Sequence, residues 1–370
     1  MIYLDYSATT PPSDEAIEAF AAASKNLFAN PNSIHAPGRE AEAAMRKTAD
    51  GILHLFDAPG YEVVFTSGAS EANNLAIKGY ALRHQAKGRH LVTTPFEHAS
   101  VAASFARLAK LGFEVDVVET DDAGRVTPAA LGALLRPDTI LVSVAAVSSE
   151  LGIVQPIADL AALVAAQSRA AFMSDVTQAV GKIRLALDGI GLATFSAHKF
   201  YGLKGVGALL RRPDLLIEPQ IDGGKSTTGC RSGTPALPLA VSMETALGLA
   251  LSGLDLKIAR VASLNRRLRM RLAGIPGIAI NSPSDAVPHI LNLSVLDRDA
   301  DDMLDILDRE GFCVSKQTAC SSGATRSEAV FRLTGDERRA RTSLRVSLSH
   351  LTTETEVDLF ADAVERGVSG

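Results

Sequence analysis

Apolar and polar positions along this chain fall into short strand-like runs separated by helical stretches, and their order predicts the architecture. Glu62-Val-Val-Phe-Thr66, Arg89-His-Leu-Val-Thr-Thr94 and Ala170-Ala-Phe-Met173 are short runs rich in apolar and β-branched residues, the composition of strands in a sheet interior. Thr139 to Val147 is a longer run of the same kind, whereas Phe113-Glu-Val-Asp-Val-Val118 alternates, as a strand with one wetter face does. Helices are expected between them: Ala69 to Gly79, Val101 to Leu111, Ile157 to Gln167, and one opened by Thr127-Pro128 that runs to Leu135. Ser13, followed by Asp14 and Glu15, reads as the capped start of an earlier helix carrying Ala16, Ile17, Ala19 and Phe20. Strands alternating with helices predict an α/β domain around a largely parallel sheet.

Near residue 250 the rhythm changes. Leu254 to Leu272 predicts a long arginine-rich helix, followed by the turn Gly274-Ile-Pro-Gly277. Strands are expected at Ile290–Val295, Cys313–Ser315 and Ser343–Ser347, with helices at Asp301–Glu310 and Glu354–Gly367. This is the pattern of a smaller α+β domain, and 370 residues exceed what one compact core usually holds. No repeat or low-complexity linker separates the two parts, so a firm interface between them is expected.

Composition narrows the function classes. A hydrophobic fraction of 46% supports a sizeable interior. Lys and Arg number 37 against 42 acidic residues, a net charge of −5, which disfavours direct nucleic-acid binding. The clusters Arg266, Arg267, Arg269, Arg271 and Arg338, Arg339, Arg341 sit in helix-like sequence and read as solvated faces. No apolar run is long enough to span a bilayer, and the N-terminus Met-Ile-Tyr-Leu-Asp-Tyr has no secretory pattern. Cys230, Cys313 and Cys320 are odd in number and without Cys-x-x-Cys spacing. That argues against a disulfide framework or zinc site and for a reducing cytoplasm.

Candidate chemistry lies where an open sheet presents it, at the carboxyl ends of strands. In Ser196-Ala-His-Lys-Phe200, Lys199 follows the apolar run Gly191–Phe195. A lysine amine held there beside an aldehyde can form a Schiff base; elsewhere it is a solvated charge. Ser67-Gly68-Ala69-Ser70 ends a strand and opens a helix, so it reads either as an anion-binding turn or as an ordinary connection with Ser70 as cap. Asp175, after the strand Ala170–Met173, either holds a pyridine nitrogen protonated, as an electron-sink cofactor requires, or caps the next turn. His98 is a candidate stacking ring or proton shuttle, or a structural histidine. Cys320 lies in a small-residue loop, Thr318–Thr325, expected to be mobile and accessible; Cys313 is expected to be buried, and Cys230 sits in the loop Gly229–Gly233.

Together these segments resemble the cysteine desulfurases of the class V aminotransferase group, pyridoxal-phosphate enzymes of the aspartate-aminotransferase fold. The resemblance runs in order through Tyr3–Pro11, Asn30-Pro31, Phe65–Asn74, Glu97-His98, Glu150–Pro156, Asp175–Lys182, Ser196–Lys199, Arg231–Thr234, Ala319-Cys320 and Leu344–Ser347. It implies a fold-type-I large α/β domain over residues 14–250, and a small α+β domain from 1–13 and 251–370 that carries the mobile cysteine loop. It also implies that Lys199 binds pyridoxal 5'-phosphate covalently and later moves protons at the substrate Cα. Asp175 would pair with the pyridine nitrogen, Gln178 with the ring hydroxyl, and His98 would stack on the ring. Ala69, Ser70, Ser196 and His198 would hold the phosphate, joined by Thr234 from the second subunit of a homodimer. Arg345 would clamp the carboxylate of L-cysteine, and Cys320 would take its sulfur as a persulfide. The sulfur would then pass to an acceptor protein, such as an iron–sulfur scaffold or a tRNA-thiolation enzyme.

Two departures bear on these expectations. Ser148-Ser149-Glu150 stands where the family commonly has Asn-Asn-Glu, and Asp222–Thr228 replaces a glycine-rich run ending in His-Glu or Gln-Glu. A selenocysteine lyase, a small-amino-acid transaminase and a cofactor-binding relay scaffold without turnover are the alternative readings.

Overall fold

The computed structural model describes residues 1–370 except Lys225, Thr227, residues 317–324 and Gly370. A seven-stranded sheet organises the first part of the chain, with strand order Glu62–Thr66, Gly207–Arg211, Leu192–Ser196, Ala171–Asp175, Thr139–Ser143, His90–Thr93, Glu114–Val117. The last five are mutually parallel, while Gly207–Arg211 runs antiparallel to both of its neighbours. The central strands are buried on both faces, which is why they read as continuous apolar runs rather than alternating ones.

Most expected elements stand within a residue or two of their expected limits. The strand expected from Thr139 to Val147 ends at Ser143, and Val147 pairs instead with Val154 in an isolated bridge. The helix expected over Ala69–Gly79 is longer and irregular: α-helical at Ala69–Asn74, π-helical at Leu75–Gly79, and α-helical again at Tyr80–His84. Gly79 permits a close approach there, since a Cβ would collide with the Ile217 side chain and sit 2.5 Å from the Glu218 carbonyl. Among the described residues, the strands Ile2–Tyr3, Gly207–Arg211 and Ile278–Ile280 and the helices Ala36–Leu55, Leu237–Leu251 and Glu328–Thr334 carry no expectation in the sequence reading.

Helices flank the large sheet, and the apolar cluster on one of its sides includes Ile52, Leu160, Val176, Phe195, Phe200 and Met243. A three-stranded sheet, Ser343–Ser347, Ile290–Val295 and Ile278–Ile280, is antiparallel throughout and has its own core with Leu264, Leu268, Met303 and Phe360. Leu4 belongs to this second core although it lies at the start of the chain. Ile2–Tyr3 pairs in parallel with Phe312–Cys313, and Asp5 bridges to Ser347. Cys313 is half-buried and not fully enclosed as expected, because its strand is one of only two in that ribbon. Among the described residues no single helix is long and apolar enough to cross a membrane.

Phe195 is fully buried and packs against Phe56 and Phe200, with ring centroids 5.2 and 6.1 Å away. Phe195→Ala is expected to cost about 3–5 kcal/mol of stability through the cavity it leaves. Denaturant unfolding checks this; a loss below about 1 kcal/mol would show that the site collapses freely.

Candidate active site

The strands Ala171–Asp175 and Leu192–Ser196 are neighbours, so their carboxyl ends deliver Asp175 and the Ser196–Lys199 turn to one place. Asp175 is the last residue of its strand, which runs two residues past the expected end at Met173. A cavity of about 430 Å³ opens there, within the range of small-ligand sites. Its walls include Ala69, Ser70, His98, Asp175, Gln178, Ser196, His198, Lys199 and Arg345, nearly the whole expected site. Thr234 is exposed and does not line it. Cys320 lies outside the described residues.

Lys199 sits in a single 3-10 turn after its strand, and its amine donates 2.7 Å bonds to the carbonyls of Ser7 and Ala8. The turn is pinned from both sides. Thr10 donates its N–H and its hydroxyl to the His198 carbonyl, at 2.9 and 3.0 Å, and its Oγ1 accepts from the Tyr201 N–H at 2.7 Å. Tyr201 has φ +67, a left-handed backbone that a bulky residue adopts only when its surroundings enforce it.

One end of the cavity offers donors to an anion. Gly68, not Ser70, is the N-cap of the helical segment, and no side chain caps it. Its first N–H, from Ala69, meets Ser196 Oγ at 2.7 Å. Gly207 is required beneath: a Cβ there would fall 2.5 Å from the Phe195 carbonyl and 2.7 Å from Gly68 Cα. His198 Nδ1 lies 3.1 Å from Thr9 Oγ1, and burial, reinforced by Lys199, Lys204 and Lys182, lowers its pKa to about 4. It is therefore a neutral ring at neutral pH.

At the other end the Asp175 carboxylate accepts from Asn73 Nδ2 at 2.8 Å and from the Thr177 N–H at 3.0 Å. Gln178 donates to the Ser7 carbonyl at 3.0 Å, while its own carbonyl accepts from Lys182. Lys182 is buried, and desolvation together with Lys199 and Arg345 depresses its pKa well below the usual lysine range. Arg345 is 1% exposed. It donates to Asp5 Oδ1 and to the Ser149 carbonyl, both at 3.0 Å, while its Nε has no hydrogen-bond partner among the described residues. An unpartnered buried donor on a cation marks a place for an acceptor such as a carboxylate.

The first departure, Ser149, thus meets Arg345 through its backbone. In the second, Ser226 donates to the Gly233 carbonyl at 2.7 Å, Thr228 bridges to Arg231, and Arg231 pairs with Glu71 at 2.9 Å. This segment packs beside Ser67, close to the anion-binding end. Five contributors carry no site role in the sequence reading: the carbonyls of Ser7 and Ala8, Lys182, Asp5 and Asn73. Backbone acceptors leave no sequence signal. Asn73 did leave one, being a poor helix former inside a helix.

This donor set fits pyridoxal phosphate. It combines an anion-binding turn, a lysine at a strand end, a carboxylate on the adjacent strand and an arginine with a spare donor. The Aminotransferase class-V pattern matches residues 2–360, and the chain belongs to that family, whose members depend on pyridoxal phosphate. A cysteine desulfurase IscS of Dictyoglomus turgidum is 36% identical over 373 residues, covering 99% of this chain and 94% of its own length. One from Pseudomonas aeruginosa is 38% identical over 377 residues, covering 100% and 93%. A solved NifS-like protein superimposes with a TM-score of 0.93 at 31% identity, covering 100% of this chain and 99% of its own.

Glu97, beside His98, carries a testable electrostatic signature. Its Oε1 accepts from Thr94 Oγ1 at 2.9 Å and from the Ala145 N–H at 2.8 Å, while Oε2 is buried without a partner among the described residues. Burial, aided by the charge of Asp175, raises its pKa from 4.5 to about 8 against those two bonds. Between these values the unfolded chain has lost a proton that the folded chain keeps, so stability falls as pH rises from 4.5 to about 8 and then levels. Glu97→Gln, neutral throughout, is expected to flatten that slope in urea midpoints measured against pH. An identical slope in both proteins would refute the assignment.

Proposed function

We propose that this chain is a cysteine desulfurase, which takes L-cysteine to L-alanine and retains the sulfur as a persulfide on Cys320 for delivery to an acceptor protein. The observation that carries the reading is the meeting of Lys199, Asp175 and Arg345 around one cavity, in a chain whose full-length relatives are cysteine desulfurases. Pyridoxal phosphate, when bound, supplies the electron sink that weakens bonds at the substrate Cα.

The chain's own residues do the rest. Ala69, Ser70, Ser196 and His198 would hold the phosphate, His198 as a neutral ring. Asp175 would hold the pyridine nitrogen, Gln178 the ring hydroxyl, and His98 would stack on the ring. Lys199 holds the cofactor and, once released from it, carries the proton at Cα. Arg345, which lines the cavity and is aligned by Asp5 and Ser149, would meet the substrate carboxylate through its guanidinium. The Cys320 thiolate attacks the substrate sulfur: an S–S bond forms as the Cβ–S bond breaks. The electron pair left at Cβ takes a proton, and alanine departs.

Reach supports the role of Cys320. Ser315 exchanges two backbone hydrogen bonds with Arg345, and Cys320 lies five residues on. Five residues span at most roughly 17 Å, so the thiol is tethered to the arginine that binds substrate. The same reading includes a homodimer in which the exposed Thr234 reaches the second subunit's phosphate. It also includes a division into residues 14–250 and 1–13 with 251–370, and work in a reducing cytoplasm, in keeping with the free thiols of Cys230 and Cys313. The acceptor is an iron–sulfur scaffold or a thiolation enzyme.

Two variants test the assignment. Lys199→Ala is expected to abolish borohydride-stable labelling by the cofactor and to lower turnover by several orders of magnitude; label recovered on another peptide would move the role elsewhere. Cys320→Ala is expected to keep the cofactor's colour and its spectral response to L-cysteine while losing persulfide, read by mass measurement of the 320 peptide. Undiminished sulfide release by that variant would exclude Cys320 as the sulfur acceptor.

A further inference from the structure

Asn73 lies at the centre of a closed set of hydrogen bonds that the reaction itself does not call for. Its side chain is fully buried; Oδ1 accepts from Thr194 Oγ1 at 2.5 Å, and Nδ2 donates to Asp175 Oδ2 at 2.8 Å and to Ser100 Oγ at 2.9 Å. The amide has one workable orientation. Turned over, it would set a carbonyl against the Asp175 carboxylate and leave both acceptors without a proton. His98 caps its helix through Nδ1, which accepts the Ser100 N–H at 3.2 Å and is therefore bare, and the Ser100 hydroxyl, 2.8 Å from the same nitrogen and already accepting from Asn73, is placed to donate its own proton there.

We propose that Asn73 and Ser100 are positioning residues, forming a relay that ties the Asp175 carboxylate to the His98 ring and locks that imidazole with its proton on Nε2. A proton on Nδ1 would oppose the Ser100 N–H that the ring caps, and would make the Ser100 hydroxyl accept from the ring instead of donating to it. The ring that lines the cavity is thereby kept neutral, in one tautomer and at one tilt. The charged groups facing His98 are Asp175, which favours the imidazolium, and Lys199, which opposes it; burial sides with Lys199. Asn73 thus bonds the Asp175 carboxylate on one side and the Ser100 hydroxyl on the other.

The inference rests on the proposed cofactor site, but its readout does not require L-cysteine to be the substrate. In full-length holoprotein labelled with 15N-histidine, the His98 ring is identified by its loss in His98→Gln, and its nitrogens are followed against pH. The parent is expected to show a bare Nδ1 and a protonated Nε2. In Ser100→Ala the His98 midpoint is expected to rise by roughly half a unit or more, the worth of one neutral hydrogen bond. The cofactor absorbance should hold, since Asn73 still meets Asp175, and Ser100→Thr should restore the parent value. Asn73→Asp is expected to move both readouts, because the Ser100 hydroxyl then turns to the new carboxylate while Asp175 faces a like charge. A proton on Nδ1 in the parent, an unmoved midpoint in Ser100→Ala, or no rescue by threonine would overturn the relay. The Ser100 pair keeps the test decisive even if Asn73→Asp does not fold.

Discussion

Two backbone carbonyls, those of Ser7 and Ala8, hold the Lys199 amine, and the rest of the site depends on that grip. A lysine drawn into an apolar cavity needs acceptors for its protons or it loses its charge. The residues that supply them belong elsewhere. Leu4 packs into the core of the smaller sheet, Ser7 N–H donates to Ser347 Oγ at 2.9 Å, and Asp5 pairs with Arg345. The first ten residues therefore stitch the arginine of one sheet to the lysine turn of the other. Moving either sheet would loosen both ends of the cavity at once.

Charge around the cavity is unevenly arranged. Lys199, Lys204 and Arg345 line it with basic groups and Lys182 lies close by, while Asp175 stands at the end away from the Gly68 turn. The same crowding lowers the pKa values of Lys182 and His198, in each case chiefly through desolvation and then through neighbouring positive charge. A site built this way favours anionic ligands and disfavours protonation of its histidines. The fold supplies the phosphate end through backbone, where Gly207 lets the strand and the Gly68 turn approach within reach of Ser196.

Legibility followed physical periodicity. The buried strands Ala171–Asp175, Leu192–Ser196 and Ile290–Val295 were readable because runs of five or six mainly apolar residues are too short for a helix. Gly207–Arg211 escaped notice because its pattern Gly-Ala-Leu-Leu-Arg favours no strand and its direction is set by pairing with distant residues. The π-helical turn at Leu75–Gly79 was likewise hidden: helix periods of 3.6 and 4.4 cannot be told apart over five residues. Asp175, Lys199, His98 and Arg345 could be picked out as chemical groups, but the carbonyls facing Lys199 and the Asn73–Ser100 contacts join residues far apart in sequence.

By itself, the order of apolar runs determined an α/β sheet, and residue chemistry at strand ends determined which side chains to watch. Those are local properties, written in neighbouring residues. Only the tertiary structure decided that Ser7 would face Lys199 across 192 positions of chain, that Asp5 would hold Arg345 across 340, and that Asn73 would orient Asp175 across 102. Such contacts form because buried charges and amides must find partners somewhere. Which partner they find is settled by how the sheets pack and by no local pattern.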